Sequence, residues 1–135
     1  MGKLKIILVD DNQIFRESIK DLLENKFGYD VIAQAGNGEE FLNLPKTLKP
    51  DVILMDLSMP QIDGFTATKK YFWDYPQSKI IAVTNHIEKA YLLKLIETGF
   101  KGCIFKNDIF VELQPAIQNV ITGKMWFHDD LNILN

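Results

Sequence analysis

The sequence alternates short apolar runs with longer segments whose apolar residues recur at helical spacing, and this alternation constrains the fold most strongly. The apolar runs cover Lys5–Val9 and residues 29–35, 52–55, 79–83 and 102–105. A compact apolar run such as Lys5–Val9 is typical of a strand buried on both faces of a parallel sheet. Five uninterrupted strand-then-helix units therefore predict a single α/β domain with helices on both faces of the sheet.

Two prolines modify the predicted helices. Pro45 interrupts the second helical segment, which we expect to be short or kinked. A third helix is expected at residues 65–73. The last helix shows an apolar pattern from Phe110 onward, but Pro115 belongs in a first helical turn, so we expect this helix to begin later than its pattern suggests. Residues 125–135 are expected to pack on the body or to continue the last helix.

Composition excludes several classes of protein. The chain has 135 residues, 47% of them hydrophobic, and a net charge of −3, which gives no support to non-specific nucleic-acid binding. Its single cysteine, Cys103, allows no internal disulfide and no cysteine-based zinc site. No apolar stretch approaches the roughly 18 residues of a membrane span, and the apolar N-terminal run is too short for a signal peptide. We therefore expect a cytoplasmic protein.

Polar side chains follow four of the predicted strands. Asp10 and Asp11 follow the first, Asp56 the third, Thr84 the fourth and Lys106 the fifth. In an open parallel sheet, ligands bind beyond the carboxyl ends of the strands, where the strand order reverses. Each residue also has a simpler interpretation, as a helix N-cap, a turn residue, a strand-end hydroxyl or a solvated charge. Because they occur together at four strand ends, a shared site is the better interpretation.

The charges of this set favour a bound cation. Three carboxylates at one edge would repel, and a pair 4 Å apart costs about 4 kcal/mol at an effective dielectric constant near 20. Lys106 can offset only one of these charges, so the excess requires either a raised pKa or a cation. Oxygen ligands with open positions for water suit Mg²⁺ better than Zn²⁺, and Mg²⁺ commonly joins carboxylates to phosphate oxygens. The predicted site is therefore one for a phosphoryl group.

The motifs resemble the response-regulator receiver domain over about residues 3–123. The resemblance is carried by Val9-Asp10-Asp11, the segment 54–60 with Asp63-Gly64, Val83-Thr84 and Phe105-Lys106. Residues 36–40 and 99–102 are most similar to the receivers that precede LuxR-type DNA-binding domains. The resemblance implies a flavodoxin-like, CheY-like fold with parallel strands in the order 2-1-3-4-5. It also implies a receiver domain at residues 1–124 and a short extension or the start of a linker at residues 125–135.

The resemblance also implies a role for each site residue. Asp56 would accept the phosphoryl group, with Lys106 and Thr84 contacting its oxygens. Asp11, Asp56 and the backbone carbonyl of Ser58 would bind Mg²⁺ directly, with Mn²⁺ as a substitute, and Asp10 would act through water. The chain would catalyse its own phosphorylation and dephosphorylation rather than turn over a separate substrate.

The implied partner is a sensor histidine kinase or a phosphotransfer protein. The output would pass through the face formed by the fourth helix, fifth strand and fifth helix, either to a partner or domain that controls transcription or to a second copy in a homodimer. No contact with nucleic acid or membrane is expected for this domain.

Three positions depart from the family pattern. Cys103 stands where receivers usually carry the Tyr or Phe of an aromatic relay, and Asn85 stands where a small residue is usual. Lys106 is followed by Asn107 rather than proline. His86, two positions after Thr84, could modulate hydrolysis of an aspartyl phosphate or be a simple loop histidine. Cys103 is expected to be a buried small apolar residue.

Two alternative functions follow from the same residues. A pseudo-receiver, which signals without phosphorylation, would explain Cys103 and Asn85. The presence of every acidic residue, the threonine and the lysine of the motif opposes it. A haloacid-dehalogenase-like phosphatase would need an aspartate at Ser58, and a nucleotide-binding protein would need a glycine-rich loop after the first strand. The sequence has neither.

Overall fold

The computed structural model describes residues 2–85 and 89–127. Strands and helices alternate along the chain: β1 (Lys5–Val9), α1 (Gln13–Asp21), β2 (Asp30–Ala35), α2 (Gly38–Leu42), β3 (Val52–Asp56), α3 (Gly64–Asp74), β4 (Ile80–Thr84), α4 (Lys89–Thr98), β5 (Gly102–Phe105) and α5 (Ile109–Ile121). A π-helical turn, Leu22–Lys26, extends α1, and a 3-10 turn, Lys106–Asp108, joins β5 to α5. As expected, α2 is short.

The five strands form one parallel sheet in the order β2-β1-β3-β4-β5, which confirms the predicted fold. Alternate residues of each strand point to opposite faces, so the core has two layers. On one face, the layer contains Ile7, Ile53 and Cys103 with residues of α2, α3 and α4. On the other, Ile6 and Leu54 lie with residues of α1 and α5.

The expectation for Pro115 is wrong, because α5 begins at Ile109 and Pro115 lies in its interior. Proline cannot donate to the Val111 carbonyl, which removes one helical hydrogen bond. Val111 is exposed, so water can bind that carbonyl. Residues on both sides of the proline, including Leu113 and Ile117, are fully buried. Burial of this continuous apolar face outweighs the local effect of the proline.

Of the segment 125–135, which we expected either to pack on the body or to continue the last helix, residues 125–127 are described and Trp126 packs on the body of the domain; residues 128–135 lie outside the described residues. Trp126 donates its backbone N–H to the Lys101 carbonyl at 2.9 Å and accepts from the Cys103 N–H at 2.8 Å. Its indole Nε1 donates to Glu112 on α5 at 3.0 Å. The start of the outer edge of β5, at Gly102 and Cys103, is therefore paired with the chain itself. No helix within residues 2–85 and 89–127 is long and apolar enough to cross a membrane.

Candidate functional site

The carboxyl ends of β1, β3, β4 and β5 meet at one edge of the sheet. Val9 pairs with Met55, Asp56 with Val83, and Thr84 with Phe105. Asp10 and Lys106 are the first residues beyond β1 and β5, whereas Asp56 and Thr84 are the last residues of their strands. The sheet register therefore brings together Asp10, Asp56, Thr84 and Lys106, as the sequence predicted.

Three carboxylates converge at this edge. One oxygen each of Asp10, Asp11 and Asp56 lies within 4.8 Å of the others. Asp10 and Asp56 are buried, at 4% and 3% exposure, while Asp11 is exposed. The cluster thus combines two buried carboxylates with one that faces solvent. This arrangement suits a cation that binds oxygen ligands and keeps some coordination positions for water.

The helix-cap alternative for Asp10 and Asp11 does not hold in the structure. Asn12 is the N-cap of α1, and its side chain accepts from the Phe15 N–H at 3.0 Å. Asp10 instead accepts from the Asn12 N–H at 2.8 Å. Because Asn12 caps the helix, the Asp11 carboxylate is left available to face solvent.

Lys106 places its ammonium among the carboxylates. Its Nζ lies 2.8 Å from Oδ2 of Asp10 and 3.9 Å from Oδ1 of Asp56. The same Nζ lies 4.5 Å from the ring centroid of Phe15, which adds a cation–π contact. Lys106 is largely shielded from solvent, so the solvated surface-charge interpretation of this residue is wrong.

Asp56 carries an incompletely satisfied carboxylate. Its Oδ1 accepts from the Ser58 N–H at 3.1 Å, but its buried Oδ2 has no hydrogen-bond partner among the described residues. Burial, reinforced by the charge of Asp10, raises the pKa of Asp56 from 3.8 to about 7, against the opposing effects of the Ser58 N–H and Lys106. An unpartnered buried carboxylate oxygen is costly, and a cation would relieve that cost.

The remaining nominated residues occupy different settings. Thr84 is buried at the end of β4, and Asn85 beside it is exposed. His86 lies outside the described residues. Cys103 is a free, buried cysteine whose pKa is raised to about 12 by burial and by Glu112, so the thiol is a small apolar core residue, as expected. The aromatic side chain of the usual relay is absent at this position.

The loop after β3 is held close to the site by Gly64. A Cβ at this position would overlap the carbonyl oxygen of Asp56 and crowd Leu57. The Gly64 N–H also donates to the Leu57 carbonyl at 3.3 Å. Asp63 caps α3 by accepting from the Thr66 N–H at 2.8 Å. Glycine is therefore required for α3 to begin against the end of β3.

Sequence reasoning missed one residue of this region, Arg16. Its guanidinium reaches back from α1 and donates through Nη1 to the backbone carbonyl of Asp10. In the sequence, Arg16 is one charged residue on an amphipathic helix. The signal that could have found it is its spacing, because it lies about one and a half helical turns after Asp11 on the helix that starts at the site.

Comparison with known proteins identifies the family. The chain matches the family model of the response regulator receiver domain over residues 6–118, and it belongs to this family. The membership confirms the predicted resemblance and disfavours the phosphatase and nucleotide-binding alternatives.

The curated relatives include a response regulator and a transcriptional regulatory protein. The chain is 37% identical to the response regulator GacA of Pseudomonas syringae pv. syringae (strain B728a), over 91% of this chain and 58% of GacA. It is 32% identical to the transcriptional regulatory protein DegU of Brevibacillus brevis, over 94% of this chain and 54% of DegU. It therefore spans little more than half the length of these curated relatives.

A solved structure shows the same fold and a similar sequence. The LuxR-family two-component response regulator from Aurantimonas sp. SI85-9A1 superposes with a TM-score of 0.89 at 32% identity, covering 97% of this chain and 94% of that one. The chain is thus a response-regulator receiver, similar to receivers of the LuxR family.

Proposed function

We propose that Asp56 accepts a phosphoryl group from a phosphohistidine of a sensor histidine kinase or phosphotransfer protein. One carboxylate oxygen of Asp56 attacks phosphorus, the P–N bond of the donor breaks, and its electron pair returns to the imidazole nitrogen. The observation that carries the proposal is the unpartnered, buried Oδ2 of Asp56 beside two further carboxylates and one lysine. Such transfer depends on positioning and charge neutralisation more than on acid–base groups.

The cluster formed by Asp10, Asp11 and Asp56 fits a divalent cation, for which we propose Mg²⁺, with Mn²⁺ as a substitute. Asp11 and Asp56 would hold it directly with the Ser58 carbonyl, and Asp10 would act through water. The fit rests on three carboxylates within 4.8 Å and an orphaned buried oxygen, a donor set made only of oxygen. When bound, the cation supplies neutralisation of negative charge where the phosphoryl oxygens arrive.

Lys106 and Thr84 complete the proposed chemistry. The Lys106 ammonium pairs with Asp10 at 2.8 Å and lies 3.9 Å from Asp56, close enough to contact oxygens added to Asp56. Thr84 ends the neighbouring strand, where its hydroxyl could donate to the same group. New contacts to both residues would favour a second packing of the region after β4. In this scheme, Asn85 and His86 modulate access and hydrolysis rather than transfer.

The output is proposed to pass through the face formed by α4, β5 and α5. Tyr91 and Phe110 on this face are 49% and 65% exposed, whereas Leu92 is buried. Because Trp126 already pairs with the start of the β5 edge, a partner or second copy would contact helix side chains rather than add a strand. We propose a cytoplasmic receiver at residues 1–124, with 125–135 as an extension or linker, that regulates transcription when a DNA-binding domain follows.

A pseudo-receiver is the second candidate, favoured by one observation. Cys103 occupies the relay position as a buried apolar side chain, so coupling between phosphorylation and output cannot use an aromatic side chain there. The receiver chemistry at Asp56 does not depend on that relay.

The test is phosphorylation by acetyl phosphate in the presence of Mg²⁺, followed by intact-mass spectrometry. We expect one added phosphoryl group on the wild-type protein, and none with Asp56→Asn or without Mg²⁺. An adduct that survives in Asp56→Asn would reject Asp56 as the acceptor. No adduct and no Mg²⁺ binding in the wild type would favour the pseudo-receiver.

A further inference from the structure

Arg16 binds the backbone of the acidic cluster rather than its carboxylates. Its Nη1 donates to the carbonyl oxygen of Asp10, and its Nε donates to Oε1 of Gln34 on β2 at 3.4 Å. The planar guanidinium thus spans from the end of β1 to the neighbouring strand. One donor of the rigid guanidinium holds the Asp10 carbonyl while a second, on Gln34, fixes the orientation of the group, which a single flexible ammonium cannot do.

The surroundings of Arg16 leave it little freedom. A Cβ at Gly36 would lie 3.4 Å from Nη1 of Arg16 and 2.9 Å from Oε1 of Glu40. Glu40 is itself held, because its Oε1 accepts from the Gly36 N–H at 2.8 Å. Arg16 is half-buried in this corner. The backbone at Gly36 thus lies against both Arg16 and Glu40, and a Cβ there would crowd Glu40 while only touching the guanidinium.

The carbonyl that Arg16 holds belongs to the peptide group between Asp10 and Asp11. The other polar groups of Asp10 are also held, its N–H by the Ala35 carbonyl at 3.1 Å and its carboxylate by Lys106. Asp11, in contrast, is exposed, and its side chain makes no hydrogen bond or ion pair within the described residues. The direction of the Asp11 carboxylate therefore depends on its backbone, which begins at that peptide group.

We propose that Arg16 is a positioning residue of the site: it fixes the Asp10–Asp11 peptide group and thereby aims the Asp11 carboxylate at the cation. The inference rests on the proposed function, because it assigns Arg16 a part in the proposed cation binding. A second consequence separates positioning from simple electrostatics. The positive charge of Arg16 repels a cation, so loss of the charge alone would tighten Mg²⁺ binding, whereas loss of positioning weakens it.

The decisive variant is Arg16→Lys, which keeps the charge and loses the fork. Mg²⁺ binding is measured by isothermal titration calorimetry well below the melting temperature of each variant. We expect Arg16→Lys to bind Mg²⁺ about tenfold more weakly than the wild type, the size of effect typical of residues that orient metal ligands. Lys20→Met, which removes a charge from the same helix without touching Asp10, is the matched control and should bind as the wild type does.

A metal-free readout accompanies the titration. The ¹⁵N heteronuclear Overhauser effect of the Asp11 amide should fall in Arg16→Lys, because the peptide group gains motion, and stay unchanged in Lys20→Met. A merely structural role would lower the melting temperature and leave Mg²⁺ affinity and this amide unaltered. If Arg16→Lys does not fold, Gln34→Met removes the second anchor of the guanidinium and should produce the same two changes at smaller size.

The outcomes distinguish this inference from the proposed function. Wild-type affinity for Mg²⁺ in the folded Arg16→Lys or Gln34→Met protein, with an unchanged Asp11 amide, overturns the role of Arg16 alone. Tighter binding in Arg16→Lys overturns it as well. Absence of Mg²⁺ binding in the wild type overturns both this inference and the proposed cation site.

Discussion

The Nζ atom of Lys106 lies 1.1 Å closer to Asp10 than to Asp56, at 2.8 Å from the former and 3.9 Å from the latter. In the metal-free protein the lysine therefore neutralises Asp10 first. The proposed acceptor Asp56 keeps one oxygen unpartnered, and its pKa stays high. A bound cation or an added phosphoryl group would each supply a partner for the unpartnered Asp56 oxygen of the unphosphorylated site.

Removal of the lysine charge should destabilise the metal-free protein. Lys106→Met leaves the buried Asp10 carboxylate without its ion-pair partner, and breaking such a pair lowers the free energy of unfolding by about 3 kcal/mol. Mg²⁺ should then bind more tightly, because fewer positive charges oppose it. Urea unfolding at pH 8 with and without Mg²⁺ measures both effects. Lys70→Met, on an exposed position of α3, is the control, and equal stability of the two variants would contradict the prediction.

The raised pKa of Asp56 predicts an unusual dependence of stability on pH. Between the ordinary value of 3.8 and about 7, the folded protein holds a proton that the unfolded chain has released. The free energy of unfolding of the metal-free protein should therefore fall as pH rises through this range and level off above it. Asp56→Asn should remove this loss of stability. At pH 8, its free energy of unfolding should exceed that of the wild type by up to about 4 kcal/mol.

The measurement is urea unfolding of both proteins in EDTA between pH 4 and pH 8. Asp74→Asn, at an exposed residue of α3, should follow the wild-type curve at every pH. A difference between Asp56→Asn and the wild type that is the same at pH 4 and pH 8 would show that titration of Asp56 is not its cause.

The close approach of α3 to β3 predicts that Gly64 cannot be replaced. In Gly64→Ala, the new Cβ would overlap the Asp56 carbonyl oxygen, so backbone must shift and the protein should lose at least about 2 kcal/mol. The shift displaces the proposed acceptor, so phosphorylation by acetyl phosphate should slow as well. Gly2→Ala adds a Cβ that meets nothing within 4 Å and should change neither quantity. Thermal unfolding and intact-mass kinetics together check the prediction.

The segment after α5 should contribute to the stability of the receiver. Trp126→Ala removes the indole contact with Glu112 and the apolar packing of Trp126 against the α1 and α5 side of the core, with an expected loss of about 2 kcal/mol. Met125→Ala, one residue earlier and 54% exposed, should change stability by less than about 0.5 kcal/mol. Chemical unfolding of the two variants tests this, and a similar small effect in both would show that Trp126 does not anchor the segment.

The sequence by itself determined the five strand–helix units, because buried parallel strands and amphipathic helices leave local periodicities that need no tertiary information. It also determined which residue types follow each strand, and hence the membership of the acidic edge. The motif resemblance added the strand order, which periodicity cannot supply.

Only the tertiary structure decided how these residues interact. It placed Lys106 nearer Asp10 than Asp56, buried Asp10 while leaving Asp11 exposed, and brought Arg16 to the Asp10 carbonyl. It also kept Pro115 inside α5. Each of these outcomes depends on contacts between residues distant in the chain or on burial against a completed core, where long-range packing outweighs local preference.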